Sequence, residues 1–131
     1  MILFYAAQTN PIVEMLEKQL AGYKVARCRT FDTMKKRLRK PRHGLEIALV
    51  VVENIQEIAS MAEIQGLVRD LRLVLVLPER NPHMVSQAHK LAPRFIAYAD
   101  LGPEQIVAVL KKMTGPRRRR HVVSAAAVAD Y

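Results

Sequence analysis

Cysteine and long hydrophobic runs are scarce in this chain of 131 residues, and each shortage narrows the class of protein. Cys28 is the single cysteine, which excludes an internal disulfide framework and is typical of a reducing compartment. No apolar run approaches the ~20 residues of a membrane-spanning helix. The N-terminal run also lacks the basic segment and small-residue cleavage site of a signal peptide. These features predict a cytoplasmic protein without a membrane contact.

Aromatic residues and glycines are also few, which argues against several binding sites. Tryptophan is absent, aromatic residues make up 5%, and no stacking platform for bases is evident. The five glycines form neither a Walker loop nor a GxGxxG turn. The four histidines and one cysteine lack the spacing of metal ligands. We therefore expect no cofactor and no bound metal.

Positive charge, by contrast, is abundant. The chain has 21 Lys and Arg against 12 Asp and Glu, a formal net charge of +9. A field of this sign attracts polyanions at long range and is screened by salt. The candidate contacts form two clusters, the first being Lys35, Lys36, Arg37, Arg39, Lys40 and Arg42, and the second Arg117, Arg118, Arg119 and Arg120, preceded by Lys111 and Lys112.

Short apolar segments alternate with segments of helical period along the chain. The runs at 1–7, 47–52, 73–77 and 95–99 predict buried strands, and 24–30 predicts a weaker strand with Arg27 and Arg29 on one face. Capping side chains or proline mark the expected helix starts, which are Asn10-Pro11, Thr30 or Asp32, Asn54, Asn81-Pro82 and Gly102-Pro103. Glycine or proline marks the helix ends at Gly22, Pro41, Gly66, Pro93 and Gly115.

Five β-α units in strict alternation predict a parallel α/β sheet with helices on both faces and right-handed crossovers. The expected strand order is 2-1-3-4-5, as in flavodoxin-like folds, because it places the charged second strand at an edge. The sequence thus predicts one domain over residues 1–114 and a basic C-terminal tail over 115–131.

The chain resembles the receiver domain of response regulators over residues 1–114. The resemblance rests on length, element order, the junction Gly22-Tyr23-Lys24-Val25 and the helix entry Gly102-Pro103-Glu104-Gln105-Ile106. It implies a phosphoryl-transfer site at the carboxyl ends of the strands. Such a site has an acidic pair after strand one, an aspartate ending strand three, a hydroxyl ending strand four and a lysine ending strand five.

This sequence departs from that pattern at every position. The four strand ends read Ala7-Gln8-Thr9, Val52-Glu53, Leu77-Pro78 and Tyr98-Ala99-Asp100. Phosphoryl transfer needs a nucleophile and several cations around the phosphate oxygens. The resemblance is therefore to a degenerate receiver, and we expect no catalytic residue and no enzymatic activity.

Glu53 stands at the vestigial acceptor position and has two interpretations. A carboxylate one methylene longer than aspartate can imitate a permanently charged acceptor. The simpler interpretation is a solvated residue before the helix cap Asn54, favoured there by the helix dipole. A Ser86 hydroxyl between His83 and His89 lacks an orienting acid and an oxyanion loop, so we expect surface residues there.

Two functions remain, with an enzyme of unrecognised site as a distant third. The first is a phosphorylation-independent interaction module in signalling or regulation that binds a protein partner or itself. By the resemblance, its surface comprises Lys90, Arg94, Asp100, Glu104, Lys111 and Lys112. The alternative is a small basic protein that binds nucleic acid non-specifically through the Lys and Arg clusters. The tail then either contacts phosphates or an acidic protein surface, or serves as a solubilising linker.

Overall fold

Five parallel strands form the central sheet. In the computed structural model, which describes residues 1–40, 44–101 and 104–114, the strands are β1 (Ile2–Ala6), β2 (Val25–Cys28), β3 (Ile47–Val51), β4 (Arg72–Leu77) and β5 (Phe95–Tyr98). Their order is β2-β1-β3-β4-β5, and every neighbouring pair is parallel. The predicted flavodoxin-like α/β fold is confirmed, with β2 and β5 at the two edges.

Helices connect the strands. They are α1 (Pro11–Gln19), α2 (Phe31–Arg39), α3 (Ile55–Glu63), α4 (Gln65–Val68), α5 (Pro82–His89) and α6 (Glu104–Thr114), with a 3₁₀ turn at Ala99–Leu101. The expected helix boundaries at Pro41, Gly102-Pro103 and Gly115, like the predicted tail over 115–131, lie outside the described residues. Within the part of the chain that is described, no helix is long and apolar enough to cross a membrane.

The segment after β3 differs from the single helix that the sequence predicted. It divides at Ile64, whose φ of −110° and ψ of 14° lie outside the α-helical region. The Ile64 N–H bonds to the Met61 carbonyl three residues back, at 3.1 Å, rather than four. Gly66 has low helix propensity, which weakens this turn. The short helix α4 therefore follows α3 as a separate element.

Helix starts agree with the capping pattern. Asn10 and Asn54 each accept a hydrogen bond from a first-turn backbone N–H at 3.0 Å. Thr30, rather than Asp32, caps α2 and accepts from the Thr33 N–H at 3.0 Å. Asn81 accepts from two backbone N–H groups of α5, at 3.0 and 3.1 Å. Each cap fixes a helix start at the carboxyl edge of the sheet.

The core lies on both faces of the sheet. Alternate residues of β1 point to opposite sides, so that Leu3 and Tyr5 pack beneath α2 to α5, while Ile2 and Phe4 pack beneath α1 and α6. Burial on both faces explains why the central strands are continuous apolar runs. As predicted, β2 carries Arg27 and Cys28 on opposite faces, and Cys28 is buried.

Candidate functional site

Glu53 follows β3 at the carboxyl edge of the sheet, and internal hydrogen bonds hold it on two sides. Its Oε2 accepts a hydrogen bond from Asn10 Nδ2, the α1 cap, at 3.1 Å. Its backbone N–H donates to Glu57 Oε1 in the first turn of α3. The residue is half-buried. It therefore bridges α1 and α3, and its role as an imitation of a charged acceptor stays a prediction.

Glu57 and Tyr5 complete this cluster, and neither was a candidate from the sequence. The Tyr5 hydroxyl donates to Glu57 Oε2 at 2.8 Å. Tyr5 is 2% exposed, and its burial, followed by the hydrogen bond to Glu57, raises its pKa well above the usual value. A capping-box pattern, Asn54 followed three residues later by Glu57, was the available signal. We call Tyr5, Asn10, Glu53 and Glu57 the carboxylate cluster.

The hydrogen bonds of the carboxylate cluster are typical of a network that holds elements of the fold together. Both oxygens of Glu57 accept hydrogen bonds, from the Tyr5 hydroxyl and the Glu53 N–H. The donors to both carboxylates are neutral, so the two negative charges are not paired with a cation in these contacts. Across the described ranges, no group of three or more His, Cys, Asp or Glu side chains is placed to hold a metal ion.

A guanidinium, rather than an acidic pair, occupies the carboxyl end of β1. Arg27 of β2 donates through Nη1 to the Ala6 carbonyl at 3.0 Å and to the Cys28 carbonyl at 2.6 Å. Its Nε bonds to Glu17 Oε2 at 3.1 Å, and its guanidinium carbon lies 4.8 Å from the centre of the Phe4 ring. This arrangement places an Arg27–Glu17 ion pair beside the end of β1. The sequence placed Arg27 on the correct face of β2 but gave no sign of these partners.

A crevice of about 440 Å³ opens between the loops that follow β3 and β4. Glu53, Asn54, Glu79, Asn81 and His83 contribute to its lining. Two helix caps thus face one opening. Its polar groups are mostly acceptors and amides, and among the described residues no lysine or arginine lines it. The crevice therefore offers no cationic cradle for a phosphate. Ser86 and His89 are exposed on α5.

The predicted interaction surface divides between two grooves on either side of α6. Arg94, Phe95 and Lys112 contribute to the lining of a groove of about 350 Å³ beside the edge strand β5. Glu104 and Lys111 line a different groove of about 300 Å³ between α6 and α1. We call these the β5–α6 groove and the α1–α6 groove.

The other two residues of that predicted surface lie apart from both grooves. Lys90 caps the C-terminus of α5, where its carbonyl accepts a hydrogen bond from Gln65 Nε2 at 3.2 Å. Asp100 lies in the 3₁₀ turn after β5. All six predicted residues are exposed. Whether they bind a partner stays a prediction.

Part of the first basic cluster makes contacts within its own domain. Lys36 pairs with Asp32 at 3.2 Å along one face of α2. Arg37 Nη2 lies 3.1 Å from Met1 Sδ, and Lys35 is half-buried. Arg39 and Lys40 are exposed at the end of α2. The remaining polyanion candidates, Arg42 and Arg117 to Arg120, lie outside the described residues.

The fold and the strand-end geometry define a flavodoxin-like α/β domain with a receiver-like arrangement of elements. No protein-family model and no curated protein sequence matches the chain. Two solved structures have the same fold. A pilus assembly-related protein from Burkholderia pseudomallei is similar with a TM-score of 0.66 and 17% identity, over 85% of this chain and 86% of that chain. A pilus assembly protein, CpaE, from Burkholderia thailandensis gives a TM-score of 0.63 and 18% identity, over 85% of this chain and 94% of that chain.

Proposed function

We propose that this chain is a protein-interaction domain that uses a receiver-like fold without phosphorylation. The observation that carries the proposal is the ion pair of Arg27 with Glu17 beside the end of β1, where Arg27 also bonds to the Ala6 carbonyl and no acidic pair is present. A receiver must collect a divalent cation at this place before its acceptor carboxylate can take a phosphoryl group. The segment that follows β1, Ala7-Gln8-Thr9, carries no carboxylate to bind that cation.

The carboxylate cluster supports the same conclusion from the acceptor side. Glu53 Oε2 is engaged by Asn10, and the Glu53 amide is engaged by Glu57. An acceptor needs nearby cations that neutralise the incoming phosphate. The neutral donors in this cluster instead join β1, α1 and α3 to one another. Signal-independent binding through the helical surface is the role that this geometry favours.

The β5–α6 groove is the proposed docking surface. It combines the apolar side chain of Phe95 with the cationic side chains of Arg94 and Lys112. It also belongs to the face formed by α5, β5 and α6, which in receivers mediates self-association or output contacts. The names of the two similar structures indicate which partner to test first, namely a component of a pilus assembly. Signalling or regulation through that partner is part of the proposal.

Phosphorylation is tested with a small phosphodonor and magnesium, followed by intact-mass spectrometry. We expect no acid-labile phosphate on the wild-type chain. Stoichiometric phosphate that disappears in Glu53→Ala would overturn the proposal, because it would show a working acceptor. A matched control is Glu63→Ala, an exposed carboxylate at the end of α3.

Partner binding is tested by affinity capture with and without nuclease. We expect the bound proteins to survive nuclease treatment and to be lost in Arg94→Glu, which reverses the charge at the rim of the β5–α6 groove. Arg69→Glu, an exposed reversal at the end of α4, serves as the control. Loss of all partners on nuclease treatment would instead favour the nucleic-acid alternative.

A further inference from the structure

The α1–α6 groove carries an inference that does not depend on the β5–α6 groove or its partner. Its apolar part comprises Met15, Val107 and Ala108, with Gln19, Glu104 and Lys111 around them. Met15 is 44% exposed, and it is the one large hydrophobic residue in the described ranges with so much of its surface open to solvent. The groove is thus an apolar strip with an acid and a base at opposite ends.

The charges of α6 lie on a single stripe. Glu104, Val107, Ala108 and Lys111 occupy positions i, i+3, i+4 and i+7, which share one face of a helix. Seven residues at 1.5 Å each separate Glu104 from Lys111 by about 10 Å along the axis. Among the described residues, neither side chain takes part in an ion pair. Both charges are therefore open to a group outside the molecule.

This stripe is complementary to its own antiparallel copy. A two-fold axis that crosses α6 between Val107 and Ala108 brings Glu104 of one chain opposite Lys111 of the other, and the reverse contact follows by symmetry. The small side chain of Ala108 at the axis allows the helices to approach closely. A parallel alignment of two α6 helices would instead place like charges opposite each other.

Helix α1 repeats the pattern beside it. α1 and α6 pack on the same face of the sheet and both follow parallel strands through right-handed crossovers, so they run in the same direction. On α1, exposed Glu14 and Lys18 bracket the level of Met15. A two-fold axis that also crosses α1 midway between these two residues would pair Glu14 of one chain with Lys18 of the second chain.

We propose that the α1–α6 groove is the interface of a two-fold symmetric homodimer, with a second copy of this chain as its occupant. Apolar contact at Met15, Val107 and Ala108 supplies attraction, and the acid–base pairs at the rim fix the antiparallel orientation. The groove is small, so the dimer is weak and depends on protein concentration.

Sedimentation equilibrium of the full chain over a wide concentration range, roughly 5 to 500 μM, tests this interface, since small interfaces are weak. We expect a reversible monomer–dimer equilibrium. Lys111→Glu and Glu104→Lys each place two like-charge contacts across the axis, and each is expected to weaken dimerisation at least about tenfold. The double variant Glu104→Lys/Lys111→Glu restores opposite charges, and its dissociation constant is expected to return to within about threefold of the wild-type value.

The control is Arg69→Glu, which reverses an exposed charge on the opposite face of the sheet and is expected to leave the equilibrium unchanged. Circular dichroism checks that each variant is folded. A wild-type chain that stays monomeric over the whole range overturns the inference. So do single variants that behave like Arg69→Glu, or a double variant that stays as weak as the single ones. A monomeric chain that still captures its partner would refute this dimer alone and leave the proposed function intact.

Discussion

Tyr5 shows how far one residue can be interpreted from its sequence context. Its place in an apolar run predicted a buried strand position, and burial is what the structure shows. The hydroxyl needs a partner once it is buried, yet nothing in the run says which one. The partner is Glu57, fifty-two residues later in the chain. Only the pairing of β1 with β3 brings the two together.

Removing the Tyr5 hydroxyl should therefore cost stability. Tyr5→Phe deletes the 2.8 Å hydrogen bond to the Glu57 carboxylate, and hydrogen bonds to charged groups contribute about 1.5–3 kcal/mol. Glu57 is half-buried and can regain water, so we expect a loss near the low end of that range, measured by urea denaturation at pH 7. Tyr23→Phe is the control, and an equal loss in both variants would contradict the assignment.

The wild-type chain and Tyr5→Phe should respond differently to alkaline pH. Burial and Glu57 raise the pKa of Tyr5 in the folded state, whereas the unfolded chain releases this proton near pH 10. Below pH 10 the stabilisation that comes from the protonated Tyr5 hydroxyl is fully present. Above it the unfolded state binds fewer protons than the folded state, so stability falls by up to about 1.4 kcal/mol per pH unit. The advantage of wild type over Tyr5→Phe should shrink between pH 10 and 11, and a constant difference would refute this account.

The positions of helices and strands follow from local sequence signals more closely than the contacts of single side chains do. Asparagine or threonine caps were predictable because their oxygens accept from first-turn N–H groups without help from distant elements. The break at Ile64 was not predictable in detail. Gly66 marked a weak point, but the apolar period runs on through Val68, and the choice between a continuous and a divided helix depends on packing against the sheet.

The cap of α5 offers a test at this scale. Asn81→Ala removes the acceptor for the His83 and Met84 N–H groups, and loss of an N-cap costs about 1 kcal/mol. We expect that loss in thermal or urea unfolding. Asn81→Asp keeps an acceptor and adds a charge that the helix N-terminus favours, so it should be nearly neutral. A similar loss in both variants would point to a role other than capping.

At the scale of the whole molecule, charge and core are separate properties. The sheet and its helices bury apolar residues on both faces through Met113, whereas much of the net charge of +9 comes from surface clusters. The pattern of apolar residues in the sequence determines the core, because the central strands need apolar side chains on both faces of the sheet. The use made of the charge depends on where the clusters lie and what they contact.

Truncation tests whether the domain is complete without its basic end. A chain of residues 1–116 retains every described strand and helix, and chain ends tolerate removal when they supply no core contact. We expect its unfolding midpoint to stay within about 5 °C of the full chain, which corresponds to roughly 1 kcal/mol for a domain of this size. A larger fall in differential scanning calorimetry would assign residues 117–131 to the fold.

Nucleic-acid binding, if it occurs, should be of the non-specific kind. Binding through the field alone falls steeply between roughly 50 and 200 mM salt, because each phosphate contact releases counterions. Replacing Arg117 to Arg120 with glutamine should weaken it equally for all sequences and flatten the salt dependence in fluorescence anisotropy. A hundredfold or greater preference for one sequence at physiological salt would contradict this non-specific mode and would favour nucleic-acid recognition over the protein-interaction proposal.

The sequence by itself determined the alternation of strands and helices, the order of the sheet and most helix starts. The alternation and the helix starts depend on period and on neighbours a few residues away, and the order of the sheet follows from the charged second strand, which fits only an edge. Only the tertiary structure decided that Arg27 closes the end of β1, that Glu53 is held by Asn10 and Glu57, and that Glu104 and Lys111 share a groove with Met15. Each of these contacts joins elements that are distant along the chain, so its geometry exists only once the crossovers have placed those elements side by side.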